Sequence, residues 1–110
     1  MLLMELRNFV RPDGRSPFEE WFASLHVAAA AKVTVSLARL ERGNVSNVKS
    51  VGSGVLELRI NWGPGYRVYF GRDGERLILL LCGGSKRRQE DDIAEAHGLW
   101  AEYKRLKRSE

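Results

Sequence analysis

The residues in this chain best suited to chemistry are cationic and aromatic, and their spacing suits a phosphate ester. From Val55 to Trp62 the sequence VLELRINW alternates, with Leu56, Leu58, Ile60 and Trp62 on one side of a strand and Val55, Glu57, Arg59 and Asn61 on the other. After the turn residues Gly63, Pro64 and Gly65, YRVYF continues the pattern: Tyr66, Val68 and Phe70 are apolar-side, Arg67 and Tyr69 opposite. If Trp62 faces Tyr66 across the turn, Ile60 pairs with Val68, Asn61 with Arg67 and Arg59 with Tyr69, because antiparallel partners keep a constant sum of positions. Glu57, Arg59, Asn61, Arg67 and Tyr69 then share one sheet face, with Ile78 and Leu80 of the next strand beside it. Two guanidinium groups so placed grip a phosphate through bidentate hydrogen bonds, and a tyrosine stacks on a base. The competing reading is an ordinary ion pair between Glu57 and either arginine on a solvated face.

A second cationic element follows. Gly83-Gly84-Ser85-Lys86-Arg87-Arg88-Gln89 is glycine-rich and basic and leads into a helix start, where backbone amides favour anions. It lacks the spacing of a P-loop, so nucleotide hydrolysis is not indicated; the plain alternative is a flexible basic surface loop. Other catalytic groups are scarce. His26 and His97 stand apart from any second histidine, cysteine or carboxylate at ligand spacing and read as structural or surface groups. Glu19-Glu20 and Asp91-Asp92 are adjacent on helices and point apart, so no metal site is expected. Cys82 is the single cysteine, set in an apolar run, and reads as a buried thiol. No metal or other cofactor is called for.

The elements that must position these groups can be read along the chain. Residues 2–10 form a first strand, ended by Pro12 and Gly14. Ser16 as N-cap, Pro17 at the first helical position and Glu19 as the closing member of a capping box start a helix. Its face carries Phe18, Trp21, Phe22 and Leu25. A second helix runs from Val27 to Arg42 and stops at Gly43-Asn44. The stretch from Val45 to Gly54 is a polar loop that delivers Lys49. Three strands follow, the last of them, RLILLLCGG, apolar on both faces and therefore interior. A final helix spans Arg88 to Arg105, acidic at its start and basic at its end, as the helix dipole favours. The order is β-α-α-β-β-β-α, an α+β fold with an antiparallel sheet.

A chain of 110 residues makes one domain, 1–110, and its 44% hydrophobic and 29% charged content is that of a globular protein. No apolar run is long enough to span a bilayer, and Glu5 and Arg7 follow Met1 too closely for a signal peptide, so a cytoplasmic protein that meets no membrane is expected. Eighteen Lys and Arg against 14 acidic residues give a net charge of +4, which favours a polyanionic partner. The positive charge concentrates at Lys86-Arg87-Arg88 and at Lys104-Arg105 with Lys107-Arg108.

Taken in order, GRSPFEEWFASL, RLERGN, VKSVGSGVLELRINWGPGYRVYF, LILLLCGG with a lysine two residues on, and DIAEAHGLW resemble the killer proteins of phage-derived addiction modules, a branch of the RelE/HigB-like toxin superfamily. The resemblance covers about Glu5 to Trp100. It implies a small antiparallel sheet with an N-terminal helical hairpin and a C-terminal helix. It also implies a toxin of a type II toxin–antitoxin system, a ribosome-dependent, metal-free mRNA endoribonuclease that inhibits translation. Arg59 and Arg67 then resemble the phosphate-stabilising pair, and Lys86 a second cation near the scissile bond. Tyr66 or Tyr69 would stack on a base, Arg87 and Arg88 would contact RNA, and Lys49 would handle a proton or contact the backbone. The implied partners are mRNA on the ribosome and a cognate antitoxin, a small helix-turn-helix protein. The chain departs from better-known members in two ways, having no histidine in the segment after the last strand and no tyrosine or histidine at the C-terminal place where some relatives use one, with Tyr103 the candidate substitute; the general base stays open. The alternatives are a ParE-like gyrase-poisoning toxin and a catalytically weak module that only binds its antitoxin.

Overall fold

Why the chain turns where it does is visible first at Ser16. In the computed structural model, which describes residues 3–109, the Ser16 hydroxyl accepts the Glu19 N–H at 3.3 Å, and Pro17 occupies the first helical turn. The expected capping box is half made, because the Glu19 carboxylate turns away to accept a hydrogen bond from Asn8 Nδ2 at 3.0 Å and so ties the helix to the first strand. The elements run β1 (Glu5–Asn8), α1 (Pro17–Ala23), α2 (Val27–Glu41), β2 (Val48–Ser50), β3 (Val55–Ile60), β4 (Tyr66–Asp73), β5 (Leu77–Ser85), a 3₁₀ turn (Lys86–Arg88) and α3 (Gln89–Arg108). Leu2, at the start of the expected first strand, lies outside the described residues.

The five strands make one sheet in the order β1-β5-β4-β3-β2. It is mixed: β1 runs parallel to β5, and the other three pairs are antiparallel. The expectation of a wholly antiparallel sheet fails at β1, whose partner is set by non-local packing and carries no local turn signal. The expected loop from Val45 to Gly54 contains a short edge strand, β2, paired through Val48↔Leu58, Lys49↔Glu57 and Ser50↔Leu56.

The sheet separates two apolar layers. On one side α1 and α2 pack Phe18, Ala29, Val33 and Leu40 against Leu58, Ile60, Tyr66, Val68, Phe70, Ile78 and Leu80. On the other, α3 packs Ala96, Leu99 and Trp100 against Val55, Tyr69, Leu79, Leu81 and Cys82. Ile78 and Leu80 therefore lie on the hairpin side and not beside Arg67 and Tyr69. A bulge explains how β5 serves both layers: Tyr69 opposes Cys82 while Phe70 opposes Leu80, which leaves Leu81 extra.

Two indole rings lie flat on the sheet where a side chain is missing. A Cβ at Gly83 would overlap the Trp21 ring, and one at Gly71 the Trp100 ring. Gly83→Ala is therefore expected to destabilise the fold by about 3 kcal/mol through overpacking. Gly98→Ala, in the exposed middle of α3 with open space around it, is expected to stabilise by about 0.8 kcal/mol through helix propensity. Urea denaturation of the two variants checks both signs.

Candidate functional site

The β3–β4 register fixes which side chains share a face. The observed pairs are Ile60↔Tyr66, Arg59↔Arg67, Leu58↔Val68 and Glu57↔Tyr69. The strands are offset by two residues from the three-residue turn expected, because Asn61 and Trp62 belong to the connection, with Gly65 N–H donating to the Trp62 carbonyl at 3.1 Å. A two-residue offset preserves the alternation, so Glu57, Arg59, Arg67 and Tyr69 still share a face, without Asn61. Two cross-strand rows result: Lys49, Glu57, Tyr69 and Cys82, and beside it Arg59, Arg67 and Gly84.

The first row is built around a carboxylate with no solvent exposure. Glu57 is 0% accessible, and its Oε2 accepts hydrogen bonds from the Tyr69 hydroxyl at 3.0 Å and from Gln89 Nε2 at 2.8 Å. Its Oε1 is buried without a hydrogen bond, and Lys49 Nζ, on a half-exposed side chain, stands 3.8 Å away. The ion pair with Arg59 or Arg67 considered from the sequence is not the arrangement found; Glu57 joins β2, β3, β4 and the start of α3. Burial, and then the Glu57 charge, push the Tyr69 hydroxyl far above its ordinary value, so it remains a proton donor to the carboxylate. Tyr69→Phe leaves that oxygen one bond short in a dry setting and is expected to cost about 2 kcal/mol, measured as a shift in the urea midpoint.

In the second row Arg67 is 7% exposed, and its Nη1 donates to the Gly65 carbonyl at 2.8 Å. The same carbonyl accepts the Lys86 N–H at 2.8 Å, which brings the turn after β5 against the β3–β4 connection. Gly65 has φ +77°, and a Cβ there would press on the Arg67 guanidinium at 3.0 Å, so glycine is what permits the approach. Arg67 Nε is buried and unpartnered. Such a buried charged donor calls for an explanation, since nearly all of its kind are satisfied.

Gly83 and Gly84 lie within β5, which ends at Ser85, and are not part of a flexible loop, and the Lys86–Arg88 turn passes directly into α3. The Asp92 carboxylate packs where a Gly84 side chain would be, and burial raises its proton affinity. Lys86, Arg87 and Arg88 are exposed beside the Glu57 and Arg67 rows, and Arg59 is exposed opposite Arg67. The structure thus brings Lys49, Arg59, Arg67 and Lys86 to one region. It does not offer either tyrosine to a base: the Tyr69 ring is fully buried, and Tyr66 packs between Trp21 and Trp62 in the hairpin layer at 9% exposure. Both placements follow from apolar burial on a sheet covered on each face.

Glu57 and Gln89 were not singled out as site residues by the sequence. Glu57 stood in the alternating strand as the acid of a surface pair, and only its long-range neighbours reveal the clamp. The two histidines are structural: His26 caps α2 by accepting from the Ala29 N–H at 3.4 Å, and His97 Nε2 lies 2.9 Å from the Val51 carbonyl. Cys82 is buried, and burial pushes its thiol well above the usual range. Among the described residues no three His, Cys, Asp or Glu side chains converge as metal ligands, and no helix is long and apolar enough to cross a membrane.

The model of the phage-derived protein Gp49-like family matches residues 20–99, which contain every member of both rows and the Lys86–Arg88 turn. An uncharacterized protein of Haemophilus influenzae is 44% identical over 80 residues, covering 72% of this chain and 81% of that relative.

Proposed function

The chain belongs to the phage-derived protein Gp49-like family, and on that premise we propose that it is the toxin of a type II toxin–antitoxin pair, of the RelE/HigB-like kind, which cleaves mRNA on the ribosome. The observation that carries this reading is Arg67: a guanidinium 7% exposed, aimed by Gly65, with one N–H unpaired, beside a basic turn. A preorganised cation of this kind suits charge that develops in a transition state, because it needs no reorganisation when that charge appears.

The reaction is transesterification. The 2′-oxygen of a nucleotide gives up its proton to water and attacks its own 3′-phosphorus, the bond to the 5′-oxygen of the next nucleotide breaks, that oxygen takes a proton from water, and a 2′,3′-cyclic phosphate and a 5′-hydroxyl result. Arg67 and Lys86 stabilise the phosphorane charge, and Arg59, Arg87 and Arg88 hold the flanking backbone. Glu57, which has no solvent exposure, touches no substrate; it holds Tyr69 and Gln89 and so fixes the strands beneath the cations, while Lys49, half-exposed beside it, contacts the RNA backbone. The protein acts in the cytoplasm, and a cognate antitoxin, a small helix-turn-helix protein encoded beside it, silences it by covering the same cations.

Induced expression should stop growth through loss of translation, with new mRNA 5′ ends mapping inside translated frames, and co-expression of the adjacent gene should restore growth. The burial of both Tyr66 and Tyr69, which offers neither ring to a base, favours a second reading: a ParE-like gyrase poison or a partner-binding module without nuclease activity. Gyrase-linked DNA breaks with intact mRNA would select it.

A further inference from the structure

A second cationic cleft lies at the far end of α3. The helix runs 20 residues from Gln89 to Arg108, about 30 Å at the usual rise, and the cleft takes its helical lining from Trp100 onward, eleven positions past Gln89. It has a volume of about 470 Å³ and is lined by Arg72 and Asp73 from β4 and by Trp100, Tyr103, Lys104, Lys107 and Arg108 from α3. Asp73 is the one carboxylate in the lining. Lys107 Nζ contacts both its oxygens at 2.6 Å and the Tyr103 hydroxyl donates to it, which holds the carboxyl below its usual range, ionised and paired with Lys107.

The remaining cations exceed what the fold requires. Among the described residues Arg72, Lys104 and Arg108 have no carboxylate within 4.0 Å. The helix dipole presents only about half a charge at its C-terminus, yet Lys104, Arg105, Lys107 and Arg108 crowd five positions there. Lys104, Lys107 and Arg108 stand at i, i+3 and i+4, in a row along one helix face, with Arg72 across the cleft. The floor is aromatic: half-buried Tyr103 is its accessible ring, stacked on the buried Trp100 at 5.3 Å with 14° between their planes, and Lys104 Nζ lies 5.9 Å from the Trp100 ring centre. A row of cations over an aromatic floor is the composition that tracks a single-stranded nucleic-acid backbone.

We propose that the cleft between the end of β4 and the last turns of α3 is a docking surface for single-stranded RNA, with Lys104, Arg108 and Arg72 on successive phosphates. The proposal goes beyond the nuclease reading, since it requires neither cleavage nor the Arg67 cradle. Its test is fluorescence anisotropy with a labelled twelve-nucleotide 2′-O-methyl oligouridylate, which cannot be cleaved, on the full chain across a salt series. The double variant Lys104→Ala/Arg108→Ala is expected to bind roughly tenfold more weakly at 0.1 M salt, and its log–log salt slope to fall by about 1.4, two phosphate contacts' worth. The charge-matched control Lys32→Ala/Arg42→Ala should change affinity less than about twofold. Circular dichroism verifies that both variants fold. Retained binding by Arg67→Ala/Lys86→Ala alongside loss in Lys104→Ala/Arg108→Ala would support the cleft whatever becomes of the nuclease reading. An unchanged salt slope in Lys104→Ala/Arg108→Ala, or an equal loss in the control, would overturn the proposal. So would an oligoglutamate of equal charge binding as tightly as the RNA and losing as much in the same variant, which would mark an acidic-protein surface.

Discussion

Arg67→Met is expected to lower RNA cleavage by at least about 100-fold while leaving the protein as stable as before, or more so. Removal of one preorganised charge partner from a transition state costs about 3 kcal/mol of barrier in comparable sites. The folded state loses little, because the guanidinium is 7% exposed, makes one hydrogen bond to the Gly65 carbonyl and leaves Nε unpaired. The Gly65 carbonyl keeps its bond from the Lys86 N–H. Replacing a buried charge by an apolar side chain of similar volume is often neutral or stabilising. Rates from single-turnover cleavage, set beside urea midpoints, separate the two effects. A large drop in stability would instead identify Arg67 as a structural group.

Glu57→Gln is the second substitution with a large expected effect, a loss of about 2 kcal/mol in stability. The amide oxygen of glutamine can accept from Tyr69 and Gln89 as Oε2 does, so the clamp on the start of α3 survives. What is lost is the charge facing Lys49, and the amide nitrogen that takes the place of Oε1 is buried without an acceptor. An unchanged urea midpoint in Glu57→Gln would contradict this. Glu57→Ala is expected to cost more, because it strands the buried Tyr69 and Gln89 donors as well.

These expectations rest partly on what alternation makes legible and partly on what it hides. The period of two in Val55–Phe70 assigns Glu57, Arg59, Arg67 and Tyr69 to one face, and it does so even though the register is displaced, since a two-residue offset keeps every side chain on its own side. The helix starts at Ser16 and Val27 are equally plain, because capping and propensity are local. Less visible are features decided by distant contacts. The pairing of β1 with β5 joins residues 72 positions apart, as Glu5↔Leu77, and β2 is three residues long and largely exposed, too short and polar to show a strand pattern. The bulge at Leu81 sends two consecutive residues, Leu81 and Cys82, to the α3 side and cannot be read from an apolar run.

The site was divided in the same way. Its cations were visible as residue types on one face and one turn, whereas the Glu57 clamp depends on Gln89, 32 residues away in sequence. Tyr66 and Tyr69 illustrate the reverse case: aromatic rings near arginines suggested stacking on a base, but a sheet buried on both faces draws such rings inward.

The most direct test of the central claim uses ribosomes programmed with a defined mRNA and the purified protein, followed by chemical identification of the new RNA ends. The account predicts cuts within the codon at the ribosomal A site, a 2′,3′-cyclic phosphate on the upstream fragment, a 5′-hydroxyl on the downstream one, and no cutting by Arg67→Met. Intact mRNA on ribosomes exposed to the folded wild-type protein, or cuts undiminished in Arg67→Met, would contradict it.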